Sequence, residues 1–400
     1  MGTWLTKVLP WDCAAGIAGA WILFGQDKYR ELLFYYHSLV RLSGGCLGEF
    51  ARGCDVLAAG GGGSAVEKVP MAQVALATQG PVEIIGLADL PADGLVMPCA
   101  YLGSPAVWTE RIGTGREGLA IRRQVEAHFG QPVVAMMTTE IGGANGIGSV
   151  ALAAYADLPL ADADGMGRAF PGIEQVAMQV AGVQPGPSVL ADDHDHVVLV
   201  QADTGDWLER LARSAVNAFG DTGASAEYVM TVEQARNSVV LGSLSKALQI
   251  GGVLAECEGA PTVQAVARVA EEFNGVCLME GKVSAVTPGQ GKSSFAANLR
   301  STTLLDGING DSGRCMRAEA GHEYLAILED GEVRATTPDI ITLFDVYSGE
   351  TVTTDSLRYG QRVVVLALPC PPLWLEPAGL QLVGPRAFGL DLDYHPLVTR

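Results

Sequence analysis

From Leu47 to Val180 the chain alternates between two kinds of segment, and that alternation limits the folds open to it. Apolar and β-branched runs at Val82–Leu87, Leu95–Ala100 and Pro132–Met137 read as buried strands. Stretches of helical character separate and follow them: Leu47–Leu57, Leu119–Phe129, the Ala-rich Ser149–Ala156, and Ile173–Val180. In Leu119–Phe129, Ile121, Val125 and Phe129 fall on one face and Arg122, Arg123 and Glu126 on the other. Strand then helix, repeated at this pitch, sets successive strands side by side and parallel with helices layered on the sheet. The N-terminal part is therefore expected to be an α/β domain with a mostly parallel layered sheet.

Further on, His196–Val200 reads as a strand, and Trp207–Phe219, Thr231–Ile250 and Thr262–Phe273 read as helices. Gly251-Gly252 is expected to stop the second of these. From Gly281 the character turns to β. Glu329-Asp330-Gly331-Glu332 between two apolar runs is a hairpin signal, and Ile340–Val346, Glu350–Thr354 and Arg362–Leu368 read as further strands. A chain of 400 residues is too long for one ordinary core. The expected organisation is an extension at 1–43, an α/β domain at 44–205, and a β-rich C-terminal domain carrying several helices at 206–400. The extension is dense in aromatics, and its Asp27–Val40 has helical spacing.

Charge and cysteine usage narrow the partners. A net charge of −19 repels a nucleic-acid backbone or an anionic membrane surface, so no nucleic acid and no membrane are expected as partners. The longest apolar run, Cys13–Gly25, has about two-thirds of the length a spanning helix needs. The eight cysteines form no C-x-x-C or zinc-type spacing, and read as buried free thiols of a reducing, cytoplasmic compartment. What remains is a small-molecule substrate.

Three glycine-bearing stretches are candidates for the chemistry. Gly60–Gly63 lets the backbone approach a ligand closely or makes a tight turn. Thr138-Thr139-Glu140-Ile141-Gly142-Gly143-Ala144-Asn145-Gly146 follows a strand and precedes a helix, where open α/β sheets place their sites. There Glu140 offers a carboxylate, and Asn145 a donor and an acceptor. Asp162-Ala163-Asp164-Gly165-Met166-Gly167-Arg168 joins two carboxylates to an arginine. Such carboxylates divide acid and base work or hold a divalent cation, and an arginine clamps a carboxylate. His194 and His196 would share one face of a strand and offer zinc two imidazoles, with no third ligand identifiable. Gly289-Gln290-Gly291-Lys292-Ser293 lacks the first glycine of a phosphate-binding loop, and no G-x-S-x-G elbow is present.

The stretch Arg52–Gly63, Gly103-Ser104-Pro105 with Glu110, Thr139–Asn145, Asp162–Pro171, Pro338–Ile341, Leu357–Gly360 and Gly384–Gly389, in that order, resemble the S-methyl-thiohydantoin desulfurase family. The resemblance runs from about Leu42 to Pro396. It implies an α/β domain followed by a β-rich domain. It also implies hydrolytic removal of a sulfur substituent from a thiohydantoin ring, and an association with hydantoinase/oxoprolinase proteins. Two positions depart from the family: Gly172 follows Phe170-Pro171 where a glutamate is usual, and an Asn-Glu pair reads His322-Glu323.

The expected activity is hydrolysis of a thiohydantoin- or hydantoin-like five-membered ring. Glu140 is the expected base, with Asp162 or Asp164 sharing acid duty or holding a divalent metal such as zinc. Gly61, Gly62, Asn145, Arg168 and Glu323 are the expected substrate contacts, with Arg168 on a substrate carboxylate. The alternative is a non-catalytic partner or regulatory subunit of a hydantoinase-type enzyme. A second copy of the chain or such an enzyme is the expected protein partner.

Overall fold

The computed structural model describes residues 40–103, 107, 110, 113–288 and 300–397. Asp27–Val40, apart from Val40 itself, and the Gly289–Ser293 stretch lie outside the described residues, as do Ser104 and Pro105.

The first sheet runs in the order β1-β2-β5-β4-β3-β8-β6-β7. Its strands are β1 (Val40–Leu42), β2 (Val82–Ile85), β3 (Leu95–Gly103), β4 (Val133–Thr138), β5 (Leu160–Asp164), β6 (Ser188–Ala191), β7 (Val197–Val200) and β8 (Thr222–Ala226). Two short strands, β9 (Met230–Thr231) and β10 (Val240–Leu241), add to β3 and β5. The four central strands β2, β5, β4 and β3 are parallel, as the alternation predicts, and the flanking strands pair antiparallel. Helix Ala144–Ala156 crosses behind this centre, and only Tyr155 escapes full burial. Its Ala, Gly, Val, Ile and Leu content suits a helix buried nearly all round.

The second sheet is antiparallel throughout, in the order β15-β14-β13-β12-β11-β18-β16-β17. Here β11 is Val276–Thr287, β12 Ser301–Gly307, β13 Cys315–Ala320, β14 Tyr324–Glu329, β15 Glu332–Thr336, β16 Ile340–Asp345, β17 Thr351–Val352 and β18 Arg362–Leu368. The expected hairpin is β14–β15, and Asp330 and Gly331 at its turn both take positive φ. That geometry matches the right-handed strand twist and favours this residue pair.

Two readings differ. Thr231–Ile250 is not one helix. Thr231 caps Val232–Ala235 through a reciprocal bond with Gln234, β10 follows, and a new helix Ser243–Glu256 starts after left-handed Gly242. That helix runs through Gly251-Gly252, because Gly251 is a crossing point and not a stop. A Cβ on Gly251 would lie 1.8 Å from the Glu49 carbonyl oxygen, and one on Gly53 1.8 Å from that of Ala247. Bare glycines thus let helices Leu47–Leu57 and Ser243–Glu256 meet backbone to backbone. Second, Ile173–Val180 forms a helix only at Ala177–Val180. The first sheet runs on past residue 205, because β8 and β9 pair with β3, and the second sheet begins at β11.

The two sheets are joined at the end of helix Leu47–Leu57. Thr342 Oγ1 donates to the Val56 carbonyl at 2.7 Å, and the Tyr324 amide to that of Ala59 at 2.8 Å. The described cysteines are free. Cys46, Cys54, Cys99 and Cys370 are buried as expected, Cys257 and Cys277 are half-buried, and Cys315 is exposed. Among the described residues no helix is long and apolar enough to cross a membrane.

Candidate active site

Glu140 stands just past the C-terminal end of β4 and is 7% exposed. Asn145, in the first turn of helix Ala144–Ala156, donates from Nδ2 to Glu140 Oε2 at 2.6 Å and accepts the Tyr101 amide on Oδ1 at 2.8 Å. The amide group is thus fixed from the neighbouring strand β3 and fixes the carboxylate in turn. Burial pushes Glu140 up to about 8, and the negative fields of Glu323 and Asp164 add to the rise against the Asn145 donor. At neutral pH a group shifted this far carries its proton, whereas the sequence reading casts Glu140 as a base.

Asp162 and Asp164 lie on β5, two apart and therefore on one face. The structure gives them different work. Asp164 is completely buried and accepts the amides of Ile141, Met166 and Gly167 at 2.8–3.1 Å. It ties the loop after β4 to the loop after β5, and its oxygens are fully engaged. Asp162 is half-buried and turns to Ser245, accepting its amide at 3.0 Å and its hydroxyl at 2.6 Å. That is a cap on helix Ser243–Glu256, supplied from the adjacent strand.

The Gly60–Gly63 turn offers carbonyls where an anion cradle would offer amides. The Ala144 amide, at the start of helix Ala144–Ala156, donates to the carbonyls of Gly62 and Gly63 at 3.0 and 3.2 Å. Asp55 braces the far side by accepting the Ala65 amide at 2.6 Å. The missing side chains make room for protein groups. A Cβ on Gly62 would sit 2.9 Å from the Gly142 carbonyl oxygen, and one on Gly61 2.6 Å from Glu323 Oε1.

Arg168 and Glu323 complete the cluster from either side. Arg168 is completely buried with its guanidinium 4.7 Å from the Phe170 ring centre. Nε donates to the Ala169 carbonyl, and Nη1 to those of Pro338 and Asp339. Two of its three nitrogens are therefore spent, and the expected two-pronged grip on a substrate carboxylate is not available. Glu323, just before β14, is 2% exposed; burial pushes it up to about 7 against the pull of Arg168. Arg168 Nη2 and Glu323 Oε2 are both buried without a hydrogen-bond partner. The structure thus brings Glu140, Asn145, Arg168, Glu323 and Gly61 together, with Asp164 as their brace and Asp162 turned away.

Sequence reasoning misses Glu227. It follows β8, is 1% exposed, and accepts the Thr139 hydroxyl at 3.3 Å on Oε1, while Oε2 has no partner. Burial pushes it up to about 7. No motif surrounds it; the only sequence signal is a carboxylate ending the small, apolar run Gly223–Ala226.

The expected metal also meets a geometric test. Among the described residues, the group of three ligand side chains with donor atoms within 4.8 Å of one another is Asp192, Asp193 and His194, not the Glu140 carboxylates. Asp192 is already engaged there, with Oδ1 accepting the amides of His194 and His196 and Oδ2 lying 2.8 Å from His196 Nδ1. The donors around Glu140 do not fit a three-ligand zinc site.

Two family models cover nearly all of the described chain. The N-terminal domain of the S-Me-THD-like family matches residues 46–202, and its C-terminal domain matches residues 203–397. The chain belongs to the S-Me-THD-like family. The two models meet beside residue 205, although the first sheet continues to β10. An S-Me-THD-like chain is also similar in fold to a crystal structure of a protein from Chromobacterium violaceum. The TM-score is 0.73 at 22% identity, covering 90% of this chain and 100% of that one. No curated protein matches the chain.

Proposed function

We propose that this S-Me-THD-like protein hydrolyses the carbon–sulfur bond of an S-alkyl-thiohydantoin-like five-membered ring. One observation carries the reading: Glu140, a buried carboxyl that keeps its proton at neutral pH, is held by Asn145 and faces a second carboxylate, Glu323, and a guanidinium, Arg168. Groups with shifted titration, converging from three parts of a chain, are the signature of a proton-transfer site.

The chemistry needs a proton carrier and no cofactor from this cluster. Glu140 gives its proton to the ring nitrogen doubly bonded to the sulfur-bearing carbon, which makes that carbon electrophilic. Water adds to the carbon and returns a proton to Glu140. The carbon–sulfur bond then breaks; Glu140 protonates the departing sulfur and takes the hydroxyl proton as the carbonyl forms. Water and thioimidate become lactam and thiol, and Glu140 ends as it began. Asn145 is a positioning residue, and Asp164 holds the two loops that carry Glu140 and Arg168.

Thiol release from S-methyl-thiohydantoin by the purified full-length protein tests the reading. Turnover that disappears in Glu140→Gln, with thermal unfolding unchanged, is the expected result. Full turnover in that variant, or none in the wild type, overturns it; the latter, with capture of a hydantoinase-type enzyme, supports a partner subunit.

A further inference from the structure

We infer that Arg168 and Glu323 together recognise the uncharged –C(=O)–NH– edge of a ring, so that the site takes neutral imides and lactams whose ring nitrogen is unsubstituted. The inference rests on the ring-hydrolase reading for the orientation of the ring, and on two orphaned atoms for its chemistry.

Arg168 Nη2 and Glu323 Oε2 are buried in side chains 0% and 2% exposed, and neither has a hydrogen-bond partner. A buried donor or acceptor left without a partner is destabilising, and more so when it is charged. Each side chain feels the other electrostatically, yet they do not close into a hydrogen bond. Both are anchored against doing so. Arg168 is held by the carbonyls of Ala169, Pro338 and Asp339. Glu323 is held over bare Gly61, and the amide of the next residue, Tyr324, is bonded to Ala59.

The two atoms set the chemistry of what spans them. Nη2 has only donors to offer, and Oε2 accepts in the ionised form of Glu323 that the Arg168 field favours, so the ligand presents an acceptor at one end and a donor at the other. A substrate carboxylate fails twice. It finds one free nitrogen instead of a fork, and it faces the Glu323 carboxylate. A cationic ligand meets Arg168. A carbonyl beside an N–H satisfies both atoms and carries no net charge. In a thiohydantoin this edge adjoins the sulfur-bearing carbon, which leaves the other ring nitrogen for Glu140.

Binding of succinimide and of N-methylsuccinimide to the full-length wild-type protein, by calorimetry, tests the pairing without requiring turnover. Succinimide is expected to bind, and methylation to weaken binding by about tenfold or more, because the donor is lost and Glu323 is left unpaired. In Glu323→Leu the preference for the N–H form should vanish. Equal binding of the two imides, or binding of neither, overturns the inference. Thiol release in the same preparation separates the two claims. Turnover without an N–H preference sinks the pairing and leaves the hydrolase; an N–H preference without turnover does the reverse.

Discussion

Asn145 Nδ2 lies 2.6 Å from Glu140 Oε2, while its own Oδ1 lies 2.8 Å from the Tyr101 amide. One side chain therefore couples the end of β3 to the carboxyl after β4. Asn145→Ala removes a donor that favours ionised Glu140 and frees Glu140 to leave its rotamer. Turnover on S-methyl-thiohydantoin should fall by about ten- to a hundredfold, as expected when a reacting group loses its alignment. The alkaline limb of the kcat profile should move to higher pH, since the lost donor was holding the Glu140 titration down. A merely structural role would lower the amount of folded protein and leave that limb in place.

In the wild type the same group sets the sign of the pH response. Glu140 works in its protonated form and titrates at about 8, so kcat should be level near neutrality and decline as pH rises through 8. A pH–rate profile that instead rises between 7 and 9 would put the working proton elsewhere.

Folding stability should follow the same direction. Burial raises Glu140 from 4.5 to about 8, Glu227 and Glu323 from 4.5 to about 7, and Asp55 and Asp164 from 3.8 to about 7. For each, the folded state binds the proton more tightly than the unfolded chain. The stability they contribute is complete below the unfolded values and is lost as pH rises through 7 to 8. The urea midpoint should accordingly be higher at pH 6 than at pH 8.5. A net charge of −19, which grows with pH, acts in the same sense.

Gly61 tests how closely the second domain serves the site. Its φ is not in the left-handed region, so alanine is conformationally acceptable, but the added Cβ would lie 2.6 Å from Glu323 Oε1 and 2.7 Å from Cγ. Gly61→Ala should displace Glu323 and cut turnover by about tenfold or more, at a modest overpacking cost of about 1–3 kcal/mol. Unfolding midpoints measured beside kcat check that the loss of activity exceeds the loss of folded protein.

The parallel centre, the β14–β15 hairpin and helix Leu47–Leu57 were legible because each rests on local periodicity or turn chemistry. The helix reading at Thr231–Ile250 failed for a non-local reason. Val240–Leu241 is drawn into a pairing with Ala163 and Asp164, and Gly251 answers to Glu49 on another helix. The site divides in the same way. Glu140 and Asn145 could be found from their place after a strand. The roles of Arg168 and Asp162 could not, since carbonyls of Pro338 and Asp339 and the hydroxyl of Ser245 decide them from far along the chain. Glu227 has no local signal and is revealed only by the fold that puts it on Thr139.

The two aspartates of β5 supply a last contrast, because one motif assigns them alike and the geometry does not. Asp164 accepts three backbone amides, those of Ile141, Met166 and Gly167. In Asp164→Asn the amide oxygen can take the place of Oδ2, which meets all three amides, but the amino group then stands where Oδ1 met the Gly167 amide, donor against donor. The expected loss is about 1–3 kcal/mol, the cost of an unsatisfied buried donor. The Asp162 carboxylate accepts from Ser245, at the start of helix Ser243–Glu256, from a half-buried position. Asp162→Ala should cost what a helix cap is worth, about 0.5–2 kcal/mol, and should leave kcat unchanged. Urea unfolding of both variants, with thiol release measured on Asp162→Ala, decides the assignment. A large drop in kcat for Asp162→Ala at full folding would return that residue to the chemistry.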